Sequence, residues 1–441
     1  MKYLEKPFIK VGLLTFIFLV TIFSRPFVGI YLFQFRIGEL VVAVSFIMFL
    51  FFISKRQNFE NKYQILINLT FFLLLSFVIS NYLEDGFFVS TYLFKSSSYI
   101  WTVSFLFIGY KLQLYNQNFA YLMSFGVILL YVFNTILYPS IFIEFFQNFS
   151  DKFELSKAAS MMISVVFVNT INFYFLKDKK QFKYFFIFSN ALFLPLLLFN
   201  SRGSFISLVL FILLFIIFDR EILFSNFKSS IILILIFVLT FLGSTYNIFG
   251  ELDFSKRAQS EQIEISSVSD NLNKLVENKN TIDVFMSFFI YEGRIYSRDG
   301  TTDWRLDIWQ DVVEDLRDKN KLLFGYGYSS IIPVMVDPEA PGRLGEDGLN
   351  ENVHNYAITI LARGGLIQLI LFAFFHLKII NIFKRKNDSL FILVILIPLF
   401  FNAFLDVAME SVQYPFIFYM LVGFLLSSKK DLNNNLQNNE L

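Results

Sequence analysis

Apolar runs of about 17 to 25 residues, separated by short polar stretches, organise this chain, and each run is long enough to cross a bilayer as a helix. Twelve spans follow from the pattern: 8–24, 38–54, 65–81, 93–110, 119–138, 157–176, 182–200, 203–219, 229–249, 355–377, 389–406 and 411–427. Most are apolar all round, which argues against helices lying on a surface. Barrel strands would be half as long and would alternate. The pattern therefore predicts an all-α integral membrane protein of about twelve transmembrane helices. Its divisions are 1–249 with spans one to nine, a large partly helical loop over 250–353, spans ten to twelve over 354–428, and a disordered polar tail over 429–441. The first span has a basic flank but runs into TIFSRP (Thr21–Pro26), with no small-residue cleavage site, so a retained span is expected.

Charge orients the bundle. With the N-terminus in the cytoplasm, the inside segments hold 19 Lys and Arg and the short outside loops hold 6. Both termini are then cytoplasmic, and the long loop faces the extracytoplasmic side. Composition adds exclusions. The 441 residues are 56% hydrophobic with a net charge of +1, which gives no global attraction to nucleic acid. There is no cysteine, so disulfides, thiolate–metal sites and cysteine nucleophiles are ruled out.

The loop carries the candidate chemistry. A short helix is expected near 268–278, and the apolar stretch 281–291 (TIDVFMSFFIY) reads as a helix lying at the interface. Residues 303–317 (DWRLDIWQDVVEDLR) predict a clear helix. Trp304, Ile308, Val312 and Leu316 form one apolar stripe, and Asp303 is the expected N-cap. Arg305 lies in the first turn, as a solvated surface residue or as an anion ligand. Gly325 and Gly327 in LLFGYGYSS permit a tight turn or close approach of a ligand. This is no nucleotide loop, because no Lys-Ser/Thr follows it.

His354 opens span ten, near a positive helix end that favours neutral imidazole, the form able to accept a proton. The alternative is a histidine that only caps the helix. His376, placed near the cytoplasmic end of the same span among loop-facing basic residues, is given no catalytic role, and the two histidines are too far apart to pair on a metal. Arg202, in the segment Asn200-Ser201-Arg202-Gly203-Ser204, either snorkels into head groups or joins free backbone N–H groups in an anion site. Arg294 and Arg298 either line the same site or form one basic helix face with Arg305. Asp406 and Glu410, at i and i+4, are left outside the site: one could orient His354 or an arginine, or form a structural pair with a Lys or Arg.

These residues carry a resemblance. SRG at 201–203, WRLDIW at 304–309, LFGYG at 323–327 and HN at 354–355 resemble, in order and sidedness, the O-antigen ligase and polymerase superfamily. The resemblance covers most of residues 190 to 380 and implies an inverting membrane glycosyltransferase that uses neither metal, nucleotide nor other cofactor. Its donor would be an undecaprenyl-pyrophosphate-linked oligosaccharide. The acceptor would be a sugar hydroxyl, on a glycan for a polymerase or on lipid A–core or protein for a ligase. A chain-length regulator is an implied partner. Carried onto matching positions, Arg202 and Arg305 would grip the pyrophosphate and His354 would be the general base. Polymerase is the favoured assignment and ligase the alternative. A lipid-glycan flippase is the rival from another class, disfavoured because spans one to nine carry almost no charge at their centres.

Overall fold

The computed structural model describes residues 7–86, 91–112, 115–150, 155–224, 226–250, 287–337, 344 and 348–427. The chain opens with α1 (Pro7–Val28), a two-residue-per-strand hairpin of β1 (Tyr31–Leu32) and β2 (Phe35–Arg36), α2 (Ile37–Ser54) and α3 (Asn61–Asp85). Three short helices follow: α4 (Thr91–Ser96), α5 (Ser98–Trp101) and α6 (Ser104–Leu112). Next come α7 (Gln117–Thr135), α8 (Ser140–Phe149), α9 (Ala158–Leu176), α10 (Lys180–Asn200), α11 (Arg202–Phe224) and α12 (Phe227–Phe249). The loop contributes a hairpin of β3 (Phe288–Tyr291) and β4 (Arg294–Ser297), then α13 (Gly300–Asp318). The chain closes with α14 (Tyr356–Asn387), α15 (Ile392–Ala403) and α16 (Gln413–Ser427).

Among the described residues, eight helices are long and apolar enough to cross a membrane: α1, α2, α3, α7, α9, α10, α12 and α14. The remaining expected spans differ in form. Span 93–110 is broken into α4, α5 and α6 at a serine run, where side-chain hydroxyls compete with the helix ladder. Ser97 Oγ donates to Leu93 O at 2.5 Å and accepts from Trp101 Nε1 at 2.8 Å. The span expected over 203–219 is α11, whose helical geometry is interrupted at Asp219. Those over 389–406 and 411–427 appear as the shorter α15 and α16, joined by a non-helical stretch. Span ten runs ten residues past its expected end, to Asn387. The amphipathic α8 was not expected at all.

Helix ends sort into two faces that match the alternation expected from charge. On one, Ile30 bridges Ser150, and Asn134 Oδ1 accepts from the backbone of Ser156 at 2.8 Å. On the other, Tyr63 Oη donates to Leu426 O at 3.0 Å, and Lys386 Nζ donates to the carbonyls of Leu426 and Ser427. Helices α9 and α16 form the centre, with nearly every residue buried. Glycine permits the closest approach: a Cβ on Gly423 would sit 2.1 Å from Leu106 O, and one on Gly109 would sit 2.4 Å from Met420 O. Small residues at such crossings let α6 and α16 pack backbone to backbone. Helix α12 presents mostly exposed apolar side chains.

The loop docks on the bundle through its own small core. Ile308, Val312 and Leu316 of α13, from the expected stripe, pack with Tyr326, Ile332, Met335, Val353 and Leu361. Against expectation, 288–291 is a strand rather than part of an interfacial helix, and the helices expected at 268–278 and 281–286 lie outside the described residues. The reason is the Glu292-Gly293 pair, with φ of 49° and 81°, which turns the chain back so that Phe289 faces Tyr296 and Ile290 faces Ile295. Arg294 therefore lies on a strand, and it shares no helix face with Arg305.

The turn at 322–327 fills a break in α14. Gly365 has φ 70° and ψ −175°, which interrupts the helical ladder, and the loop supplies the missing partners. Tyr326 N and Gly327 N donate to Ala362 O and Arg363 O at 2.7 and 2.9 Å, and Leu366 N donates to Leu322 O at 2.8 Å. Broken backbone near a bilayer persists only where other protein groups satisfy it. The close approach expected at Gly325 is to this backbone: a Cβ there would lie 2.5 Å from Arg363 O. Arg363, buried, ties the turn down by donating to Ser330 O at 3.0 Å and Tyr92 Oη at 2.7 Å.

Candidate functional site

Four helix N-termini meet where the loop docks, and each carries one candidate group. Helix α11 begins at Arg202. Gly203 lets it press against the chain after α15, since a Cβ there would already be 3.2 Å from Leu405, and Asn402 Nδ2 donates to Ser204 Oγ at 2.8 Å. Helix α13 is capped by Asp299 and not by Asp303. Asp299 Oδ1 accepts from Thr302 N and Thr302 Oγ1 at 2.9 and 2.8 Å, while Asp303 accepts from Ser297 N at 2.7 Å. Asp299 also binds Arg202, Oδ2 to Nη1 at 2.5 Å, so one carboxylate joins the starts of α11 and α13. Burial pushes the Asp299 carboxyl up, but the Thr302 hydrogen bonds and Arg202 outweigh it and hold the pKa below the usual value.

His354 stands just before α14. Asn355, not His354, is the cap: its Oδ1 accepts from Ile358 N at 3.1 Å. The histidine is free of that duty and is held in a strained left-handed conformation, φ 55°, a cost that clusters at functional positions. Two tryptophans of α13 fix it. Trp309 Nε1 donates to Val353 O at 2.8 Å, and the Trp304 ring meets the imidazole edge-on at 5.1 Å between centroids. Burial, then the positive charge of Arg305, depress the imidazole to about 4, against smaller support from Asp406. It is neutral near pH 7.

Arg305 lies beside it. Burial lowers its pKa against the attraction of Asp406 and Asp299, yet a guanidinium stays charged. Arg305 Nε and His354 Nδ1 are both buried without a hydrogen-bond partner among the described residues. Buried nitrogens in native folds are nearly always paired, so two unpaired ones side by side mark a place built for something else. Lys157, exposed at the start of α9, adds a second cation to the field on His354.

The structure thus brings Arg202, Arg305 and His354 together and sends Arg294 elsewhere. Arg294 grips the outer face of α13, with Nη2 2.5 Å from Asp311 and 3.3 Å from Asp307. Arg298 is exposed at the hairpin's end, its backbone N donating to Ser287 O at 3.2 Å. His376 is buried among the rings of Phe372, Phe375, Phe400 and Tyr419, away from the basic residues expected around it.

Sequence reasoning passed over two members and left a third outside the site. Asp299 was hidden because Asp303 is the better-looking cap, four residues on. Lys157 was visible only as a charge in the sidedness count. Asp406, set at helical spacing from Glu410, was weighed as a group orienting His354 or an arginine and left outside the site. Helix α15 ends at Ala403, so that spacing does not hold: Asp406 acts on Arg305 and His354, while Glu410 Oε1 turns inward to accept from Thr359 Oγ1 at 2.8 Å.

No curated protein matches the chain. Residues 187–373 match the family model described as O-antigen ligase, a stretch running from α10 into α14 that contains Arg202, Arg305 and His354, and this match supports the O-antigen ligase and polymerase superfamily as the family of this multi-pass membrane protein.

Proposed function

We propose that this protein is an inverting glycosyltransferase that moves an oligosaccharide from undecaprenyl pyrophosphate to an acceptor sugar hydroxyl, polymerising the repeat units of a surface polysaccharide at the periplasmic face. The observation that carries the reading is the juxtaposition of a charged, partly buried Arg305 with a neutral His354, each presenting a buried nitrogen without a partner.

Arg305 and Arg202 bind the pyrophosphate and take up the charge that grows on it as the anomeric carbon–oxygen bond breaks. His354 accepts the proton of the acceptor hydroxyl as its oxygen bonds the anomeric carbon from the opposite face. Undecaprenyl pyrophosphate leaves, and the imidazolium returns its proton to water. An imidazole near 4 is a weak base in the resting site. The arriving pyrophosphate opposes the cations that depress it, so its basicity rises when substrate is bound. Asp406 stabilises both the guanidinium and the imidazolium that forms.

Surface glycolipids from cells with and without the gene test this. Loss that leaves a single repeat on the lipid core supports polymerisation. The family description favours one second reading, ligation to lipid A–core. It predicts bare core with long polymer retained on the carrier outside the membrane. Donor stranded on the cytoplasmic face would refute both.

A further inference from the structure

A concave feature lies at the same end of the bundle as this cluster. The ends of α7, α10 and α12 and the start of α9 border a partly open cavity of about 210 Å³. Asn134, Thr135, Ser156, Asn200 and Asn247 line it together with an apolar wall that includes Phe199. It adjoins the cations directly in the chain: Ser156 precedes Lys157, and Asn200 lies two residues before Arg202.

Its chemistry differs from that of the cluster, because no lining residue is ionisable. Some polar groups are already committed. Asn134 Oδ1 accepts from Ser156 N, and Thr135 Oγ1 donates to Tyr131 O at 2.8 Å. Asn200 and Asn247 keep capacity. Asn200 Nδ2 donates to Leu196 O at 2.9 Å and Asn247 Nδ2 to Tyr131 Oη at 3.4 Å, while their Oδ1 atoms have no partner among the described residues. Amide oxygens accept from hydroxyls without a charge to neutralise, and an aromatic and aliphatic wall suits the C–H face of a ring.

We propose that this cavity is a subsite for one uncharged pyranose unit of the lipid-linked glycan, read through Asn200 and Asn247, with Arg202 and Lys157 marking the boundary to the pyrophosphate. The volume suits one ring and not a chain. The inference rests on the glycosyltransferase reading and adds to it a specificity-determining pair outside the reacting atoms. Phosphate is a poor occupant, since nothing in the lining balances its charge, and a uronic acid is disfavoured for the same reason.

The test uses the full chain in lipid nanodiscs and two probes: undecaprenyl pyrophosphate alone, and the same carrier bearing a neutral oligosaccharide. Wild type should bind the glycan-bearing carrier more tightly. In Asn200→Leu/Asn247→Leu that preference should fall about fivefold to tenfold for each hydrogen bond lost, with affinity for the bare carrier unchanged. Unchanged bare-carrier binding also reports that the variant is folded. A preference that survives both substitutions overturns the subsite and leaves the glycosyltransferase reading standing. Wild type that binds neither probe overturns both.

Discussion

Replacing Arg305 with glutamine removes one positive charge from a site that the fold has partly dried. A unit charge about 4 Å from a phosphate oxygen contributes roughly 4 kcal/mol at an effective dielectric near 20. Some of this is lost already in the ground state, so the part specific to the transition state is smaller, about 2.7–4 kcal/mol by analogy with a deleted oxyanion donor. That corresponds to a fall in turnover of about 100- to 1,000-fold. Lysine should restore charge but not the planar fork, and so recover only part of the loss. A second effect separates this role from a structural one. Arg305 is the second cause, after burial, of the depressed His354 pKa near 4, so R305Q should move that pKa upward without reaching the ordinary value, because burial remains. The base must be neutral, so kcat/KM falls as pH drops through the His354 pKa, and this acid limb should lie at higher pH in R305Q. The assay is transfer by purified protein in nanodiscs, with products resolved by size across pH 4 to 9. R305Q turning over within threefold of wild type, with its acid limb unmoved, would refute the assignment.

Other substitutions test the parts separately. H354A should lose about 100- to 10,000-fold in transfer at unchanged protein level, and a fully active variant sinks the base assignment. It also carries a stability signature. Folding holds His354 at about 4 against an unfolded value near 6.5, so the unfolded chain binds the extra proton between those values, and wild type should lose thermal stability as pH falls through that window. Melting curves of H354A should lack that component. Arg294→Ala should lower stability by about 0.5–2 kcal/mol by stranding Asp307 and Asp311, with transfer unaffected, and a loss of transfer in the folded variant would return Arg294 to the site. Gly365→Ala places a Cβ 2.2 Å from Leu323 O at φ 70° and ψ −175°; that essentially glycine-only conformation alone costs about 1–3 kcal/mol, and a melting temperature equal to wild type would contradict the docking of turn 322–327 into the helix break.

Hydropathy alone determined much of this architecture, because a bilayer leaves a helix little alternative: an apolar run of sufficient length must satisfy its own backbone. The eight long spans, the apolar stripe of the loop helix and the alternation of helix ends were legible for that reason. Arg202 and His354 stood out as polar residues at the edges of apolar segments, and Arg305 by its place in the first turn of the loop helix. What tertiary structure decided were choices between local options of similar energy. Phe288–Tyr291 is a strand because Glu292-Gly293 accept left-handed geometry and a partner strand lies opposite. Asp299 caps α13 because Arg202, 97 residues earlier, is there to share it. Helix α14 breaks at Gly365 because a distant turn supplies its hydrogen bonds. Asp406 acts on Arg305 and His354 because α15 stops at Ala403, before it can continue the helical spacing to Glu410. Each outcome depends on a group far away in sequence whose charge or backbone becomes a neighbour only after folding, and local pattern carries no record of it.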